Sequence, residues 1–164
     1  MVFLLWGGTF RREQGAGRMG GVAMGELAVV ADVEATSTVY GSAAGPDKRC
    51  CSACATFVLA VERGAFPGEL VRFLRQLGVD PTKASEVWGA PESQFLGVWW
   101  PFVGNPTTAS TAVHQLPGGI TVRVTDNFPR PAWDPGGELR AVELLWNSPL
   151  VAKLAGDARR RGQR

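Results

Sequence analysis

The sequence has few of the side chains on which hydrolytic and phosphoryl-transfer chemistry depends. It contains one histidine, His114, which leaves little room for a Ser-His-Asp or Cys-His catalytic arrangement. The glycine-rich stretch at 15–21 does not follow a predicted strand, and no Gly-Lys-Ser/Thr of a phosphate loop occurs. The sequence therefore favours a non-catalytic protein. An enzyme with residues gathered from separate loops is the alternative.

Long apolar runs are also missing. No stretch approaches the ~20 consecutive apolar residues of a membrane span, and the first six residues lack the basic start and cleavage site of a secretory signal. We therefore expect a cytoplasmic protein with no membrane partner. The 164 residues are enough for one domain, which we place at 26–155, after a disordered leader (1–25) and before a basic tail (156–164).

Positive charge is scarce in the predicted domain. The whole chain is formally +2, but residues 24–157 carry ten basic and fourteen acidic groups. Proteins that bind duplex nucleic acid usually carry a basic patch on the folded domain. We therefore expect no duplex nucleic-acid partner.

The hydropathy pattern predicts an α+β fold, with an antiparallel sheet of about five strands and two short helices on one side. Apolar residues at helical spacing predict a helix from Pro67 to Gly78, and Asp80-Pro81 predicts a shorter one through Trp88. A terminal helix could open at Ser148-Pro149. Alternating or apolar segments predict strands at 27–40, 56–61, 95–103, 120–125 and 139–146, with a short one near 112–113.

All three cysteines fall within six residues, and Cys51 and Cys54 form a CxxC. The predicted strands on either side place this CxxC at a hairpin turn, which is half of a zinc ribbon. A closed zinc site needs four ligands, and the candidates are Cys50, Cys51, Cys54 and His114. Because adjacent cysteines rarely bind one metal well, the cofactor is left open, with zinc as the candidate.

Two further interpretations of the cysteines remain. A CxxC that opens a helix can lower a thiol pKa and serve in redox chemistry. A tight turn between two strands would instead hold the sulfurs side by side without the companions of a reactive centre. We expect the turn. The thiols are therefore predicted to be unreactive, either as buried structural residues or as the remnant of a lost metal site, or to bind a metal. A helix start at this position would reverse that preference.

Two features predict a surface that binds another protein. Trp99 and Trp100 are neighbours in a predicted strand, so their side chains point to opposite faces, and exposed tryptophans are enriched at interaction hot spots. A proline-stiffened loop carries Trp133, and it also carries charged residues that could form a polar site, namely Asp126, Arg130, Asp134 and Glu138. Packing under loops and surface ion pairs are the alternative interpretations.

Segments at 49–54, 77–88 and 99–104 resemble small bacterial proteins of uncharacterised function that carry a single CxxC knuckle and an LGxDPxKxxEVW pattern. The resemblance implies a bacterial source but no activity and no residue roles. Proteins of this size and style include immunity partners of toxins, which act by binding. The leading hypothesis is a non-catalytic, immunity-like module that binds another protein. The alternative is a metal-stabilised or thiol-redox protein that uses Cys51 and Cys54.

Overall fold

The computed structural model of the protein describes residues 19–107, 112–131, 134 and 138–162. Within these residues, seven strands form one antiparallel sheet that is combined with four helices, which confirms the α+β class. The strands are β1 (Met19–Met24), β2 (Leu27–Asp32), β3 (Glu86–Ala90), β4 (Phe95–Pro106), β5 (Val113–Leu116), β6 (Ile120–Thr125) and β7 (Leu139–Asn147). The helices are α1 (Val33–Ser42), α2 (Ser52–Glu62), α3 (Gly68–Gln76) and α4 (Pro149–Gly162), with a 3₁₀ turn at Pro91–Ser93.

None of these four helices has the length and apolar character required to cross a bilayer. Several segments were predicted correctly: α3, α4 and the strands β4, β6 and β7, whereas the short strand predicted near 112–113 overlaps β5 only at Val113. In α3 and β6 the apolar residues follow one clear period, whereas β4 and β7 are apolar along most of their length. In α3, for example, Leu70, Phe73 and Leu74 are all buried.

Strand β4 is the centre of the sheet, whose order is β1-β2-β4-β7-β6-β5 with β3 also on β4. One edge of β4 is shared, because β3 pairs with its first half and β2 with its end. Between them, the Tyr40 hydroxyl donates to the carbonyl of Pro101 (2.9 Å), and Thr36 Oγ1 accepts from the N–H of Val103 (3.0 Å). Pro101 lies on the part of this edge between β3 and β2. No neighbouring strand requires a backbone N–H there, so the missing N–H of proline costs no hydrogen bond.

All four helices contribute buried residues to the core on one face of the sheet, which we call the helix-covered face. At its centre, the rings of Phe57 in α2 and Phe66 contact Trp100 of β4, with centroids 6.0 and 5.9 Å away. Phe66 also contacts Trp146, at 5.6 Å. Burial of each such side chain stabilises by about 1.5–3 kcal/mol, so this aromatic cluster holds α2 firmly on the sheet.

The opposite face, which we call the tryptophan face, carries Trp88, Trp99, Arg123 and Glu143. Trp88 stacks on Trp99 with ring centroids 3.9 Å apart. Gly97 makes room for this stack, because a Cβ there would lie 2.2 Å from the Trp88 ring. A second small core on this face includes no helix residue, and its buried members are Phe128, Leu139 and Ala141.

Two predicted strands are wrong in whole or in part. Residues 56–61 lie in α2, and 33–40 lie in α1, which begins after Asp32 because its carboxylate caps the N–H of Ala35 (2.9 Å). β-branched residues in both segments favour strands. The buried residues of α2 nevertheless recur at helical intervals, so tertiary packing outweighs propensity. They include Ala53, Thr56, Phe57 and Ala60.

The helix predicted after Asp80 is also wrong. Asp80 Oδ1 accepts hydrogen bonds from the N–H (3.0 Å) and the hydroxyl (2.8 Å) of Thr82, which makes an Asx turn. The indole of Trp100 donates to the carbonyl of Pro81 (3.0 Å), which fixes this turn above the core. The chain then continues in an extended conformation into β3.

The predicted boundaries of the leader and the tail need correction. Residues 19–24 of the predicted leader form β1, which pairs with β2 along its whole length and buries Met24. Residues 156–162 of the predicted tail belong to α4, where Arg161 pairs with Glu62 of α2 (2.9 Å). The rest of both predicted segments, 1–18 and 163–164, lies outside the described residues.

Candidate thiol site

The predicted hairpin turn at the cysteines is wrong, because Cys51 is the N-cap residue of α2. The chain turns just before the helix, where the N–H of Cys50 donates to the carbonyl of Asp47 (2.9 Å). Cys54 then falls in the first helical turn. The sulfur atoms of Cys50, Cys51 and Cys54 all lie within 4.8 Å of one another. We call these three residues the thiol cluster.

The Cys51 sulfur takes the place of the oxygen that usually caps a helix. Cys51 is extended (φ −162°, ψ 173°), and its Sγ accepts a hydrogen bond from the N–H of Cys54 at 3.4 Å. Partial burial raises the pKa of the Cys51 thiol, but hydrogen bonds from Cys54, Ala53 and Cys50 outweigh it, so the net pKa is lowered. The positive end of the helix dipole acts in the same direction. Cys51 is exposed and carries the more acidic thiol.

Cys54 has the opposite environment. Its exposed fraction is 8%, and burial is the main cause that raises the pKa of its thiol to about 12. The hydrogen bond and the negative charge of Cys51 raise it further, as does Cys50. One CxxC therefore holds an exposed thiol with a lowered pKa and a buried thiol with a raised pKa.

Polar contacts fix the start of α2 relative to the rest of the molecule. The Ser52 hydroxyl donates to Glu92 Oε2 (3.4 Å), and Arg159 of α4 donates to Glu92 Oε1 (3.1 Å). In addition, Arg63 at the end of α2 pairs with Asp157 of α4. Both ends of α2 are thus connected to neighbouring elements, so the thiol cluster stands on a supported helix and not on a loop.

Two chemistries fit this geometry. A lowered pKa on an accessible thiol, with a second thiol three residues later in the same helical turn, is the arrangement for thiol–disulfide exchange. Three sulfurs within 4.8 Å could also hold a metal ion, since thiolates are the ligands that soft metals and zinc prefer.

His114, the fourth metal candidate, lies elsewhere. It is on β5, where Nε2 contacts Glu69 Oε1 of α3 at 3.2 Å and the ring packs against the turn at Gly25. Among the described residues, the group that could hold a metal contains the three cysteines alone. Asp47, the carboxylate that precedes the cysteines in the chain, accepts hydrogen bonds from the backbone N–H and the guanidinium of Arg49.

The candidate partner-binding residues are separated in the structure. Trp100 is fully buried in the helix-covered face and offers no surface to a partner in this conformation, whereas Trp99 is half-buried on the tryptophan face. Arg130 and Asp134 form an ion pair at 2.6 Å. Trp133 lies outside the described residues.

One group that sequence reasoning missed is Glu143. Its side chain is 4% exposed, accepts from the indole N–H of Trp99 (3.0 Å) and pairs with Arg123. The three residues are direct cross-strand neighbours on β4, β7 and β6. The alternation within each strand places them on one face, but only the register of the strands brings them together.

Comparison of the chain with protein-family models, with curated proteins and with solved structures found no match.

Proposed function

We propose that the protein carries out thiol–disulfide exchange, with Cys51 as the attacking thiolate and Cys54 as the resolving thiol. The observation that carries the proposal is the position of Cys51, an exposed thiol at the N-cap of α2 whose sulfur accepts the N–H of Cys54. The sequence-based preference for a passive role depended on a hairpin turn at this place, and a helix start removes that reason.

The reaction would proceed in two steps. The Cys51 thiolate attacks one sulfur of a substrate disulfide, so that a mixed disulfide forms and one substrate thiolate leaves and takes a proton from solvent. Cys54 then loses its proton and attacks the Cys51 sulfur, which forms the Cys51–Cys54 disulfide and releases the second substrate thiol. The substrate gains two electrons and the dithiol loses two. A small-molecule dithiol would return the protein to its reduced state.

The environment of Cys54 suits the second step. In the mixed disulfide the Cys51 sulfur carries no charge, so two of the effects that raise the Cys54 pKa, the hydrogen bond and the charge of Cys51, are lost. Cys54 is therefore protected from solvent reagents before the first step and is more easily deprotonated after it.

A titration with the chromogenic disulfide 5,5′-dithiobis(2-nitrobenzoate) tests the proposal. The Cys50→Ser variant is used as background, because Cys50 is exposed and would react on its own. We expect this variant to release two equivalents of aromatic thiolate and to form an internal disulfide. With Cys54→Ser added, release stops at one equivalent and the adduct maps to Cys51.

One equivalent from both proteins, or an adduct on Cys54 and none on Cys51, would overturn the assignment. Circular dichroism of each variant shows whether α2 is retained. Since Ser also caps helices well, the Cys51→Ser variant is a matched control that keeps the cap and loses the nucleophile.

The third thiol supports a second candidate, a metal site formed by Cys50, Cys51 and Cys54 with zinc as the candidate ion. Zinc content after purification under reducing conditions tests it. About one zinc per chain in the wild type, lost in the Cys50→Ser variant, supports the metal site. A zinc content near zero rules it out and leaves the dithiol chemistry unaffected.

Binding of another protein, as an immunity-like module would do, is a separate proposal that uses other residues. Its support is the pair of half-buried, stacked rings of Trp88 and Trp99 on the tryptophan face. A captured partner whose binding is weakened by Trp99→Ala would favour it, and unchanged binding would count against this surface.

A further inference from the structure

A groove of about 290 Å³ lies between α2 and α4 beside the thiol cluster. Its floor is apolar, formed by Ala55, Val58 and Leu59 of α2 together with Ala158 of α4. Charged side chains stand around it, and these are Lys48, Arg49, Glu62 and Arg161. An apolar floor with a few charged groups at its rim is the usual composition of a ligand site.

Helical geometry brings the groove to Cys51. The N–H of Ala55 donates to the carbonyl of Cys51 at 3.0 Å, so Ala55 lies one turn beyond the N-cap. Val58 and Glu62 continue on the same side of the helix, because residues three and four apart share a face. A substrate that follows this face toward the start of the helix would therefore have one end beside residue Cys51.

The charged residues around the groove carry a net positive charge. Lys48 makes no ion pair with any described residue, whereas Arg161 pairs with Glu62 at 2.9 Å and Arg49 with Asp47 at 3.3 Å. All four partners of these two pairs have side chains at least 50% exposed. Exposed pairs contribute little to stability, so both arginines can exchange their partner for a carboxylate of a ligand.

Resting on the proposed thiol exchange, we propose that the groove binds a cysteine-containing peptide segment whose disulfide is followed by apolar and acidic residues. The eleven steps from Cys51 to Glu62 correspond to about 16 Å of helix, which four to five extended residues would cover at about 3.3 Å each. The disulfide lies at Cys51, apolar side chains lie on Val58 and Leu59, and the acidic residue reaches Arg161.

The test uses three peptide disulfides that differ at one position. Each is the symmetrical dimer of acetyl-Cys-Leu-Leu-Leu-Xaa-amide, with Glu, Gln or Lys at Xaa, four extended steps from the cysteine. Rate constants for mixed-disulfide formation are measured at pH 7 in the Cys50→Ser, Cys54→Ser protein, next to those for the small uncharged disulfide of 2-mercaptoethanol. We expect the order Glu, Gln, Lys, with a ratio of Glu to Lys that falls as salt is added.

Variants at the far end of the groove separate binding there from general attraction by Lys48 and Arg49. Arg161→Gln should slow the Glu peptide about 3- to 5-fold, as expected for the loss of one exposed charge pair. Arg160→Gln is the matched control, because Arg160 is the preceding arginine, pairs with Asp157 and does not line the groove. Val58→Glu should lower the ratio of the Glu-peptide rate constant to the rate constant of the 2-mercaptoethanol disulfide.

The outcomes distinguish the two proposals. If the 2-mercaptoethanol disulfide does not react with Cys51, the proposed function itself fails. If it reacts but the three peptides do so at equal rates, or if Arg160→Gln and Arg161→Gln have equal effects, the groove is not the substrate site.

Discussion

The two faces of the sheet are built in different ways. On the helix-covered face, helices and strands meet through fully buried aromatic rings, with Phe57, Trp100 and Trp146 all at 1% exposure or less. On the tryptophan face, the contacts are a stacked pair of rings, a nearly buried carboxylate and a small cluster without helices. The first face fixes the position of α2, and with it the thiol cluster.

The difference explains why the neighbours Trp99 and Trp100 are not equivalent. The Trp100 ring lies in the aromatic core, and its N–H donates a hydrogen bond to the carbonyl of Pro81. Trp99 donates a hydrogen bond to Glu143 and stacks on Trp88, and its side chain is half-buried. We therefore expect damage to the helix-covered face to affect the whole fold and damage to the other face to remain local.

The largest effect is expected for Trp100→Ala. Truncation of a fully buried tryptophan leaves a large cavity, so the free energy of unfolding should fall by about 3–5 kcal/mol. Denaturant titration followed by circular dichroism measures this change. A loss below about 1 kcal/mol would contradict the central place we give to this ring.

The two thiols of the CxxC should differ strongly in reactivity. In the Cys50→Ser variant, alkylation of Cys51 by iodoacetamide should rise with pH through a midpoint below that of an ordinary thiol, because the thiolate is the reactive form and its pKa is lowered. Cys54, with a pKa of about 12, should stay at least about 50-fold slower from pH 6 to 9.

Peptide mapping after quenched alkylation gives both rates. Equal rates, or a faster Cys54, would show that α2 does not distinguish the two sulfurs. Unfolding the protein in denaturant is the control, since both thiols should then titrate alike.

A smaller effect is expected for Arg123→Met. Glu143 is then left with the Trp99 indole as its donor while it remains nearly buried, which should reduce stability by about 1–2 kcal/mol. Because Arg123 is about half-exposed, we expect less than the loss of a fully buried pair would give. The double variant Arg123→Met, Glu143→Gln should recover part of the loss, and failure to do so would indicate that the pair does not compensate the carboxylate.

The smallest effect is expected for Trp88→Ala, at about 1 kcal/mol, because the ring is half-buried and, unlike Trp99, is not the donor to Glu143. A double-mutant cycle with Trp99→Ala should give a coupling of about 0.5–1.5 kcal/mol, the range for stacked rings. A loss as large as that of Trp100→Ala would remove the contrast between the two faces.

The sequence predicted secondary structure best where one face of an element is exposed to solvent and the other is buried. β6 alternates and α3 has a single apolar stripe, so both were predicted correctly. α2 is apolar on nearly every side, and a short buried helix cannot be told from a buried strand by periodicity. The local cue that was missed is Cys51-Ser52-Ala53, where small polar residues that can cap a helix are followed by a good helix former.

The site was predicted only in part for the same reason. The CxxC identified Cys51 and Cys54 as a pair, but which of them is exposed depends on the packing of α2. His114 was included because it is the one histidine, and neither spacing nor charge could show that β5 places it beside Glu69. Glu143 needed the strand register, which no local pattern contains.

One sulfur atom has two tasks in this molecule. Because Cys51 Sγ accepts the N–H of Cys54, any bond formed at that sulfur also weakens the acceptor that holds the first turn of α2. Amide hydrogen exchange at Cys54 should therefore accelerate when Cys51 enters a disulfide, and the start of the helix would report the oxidation state of the protein.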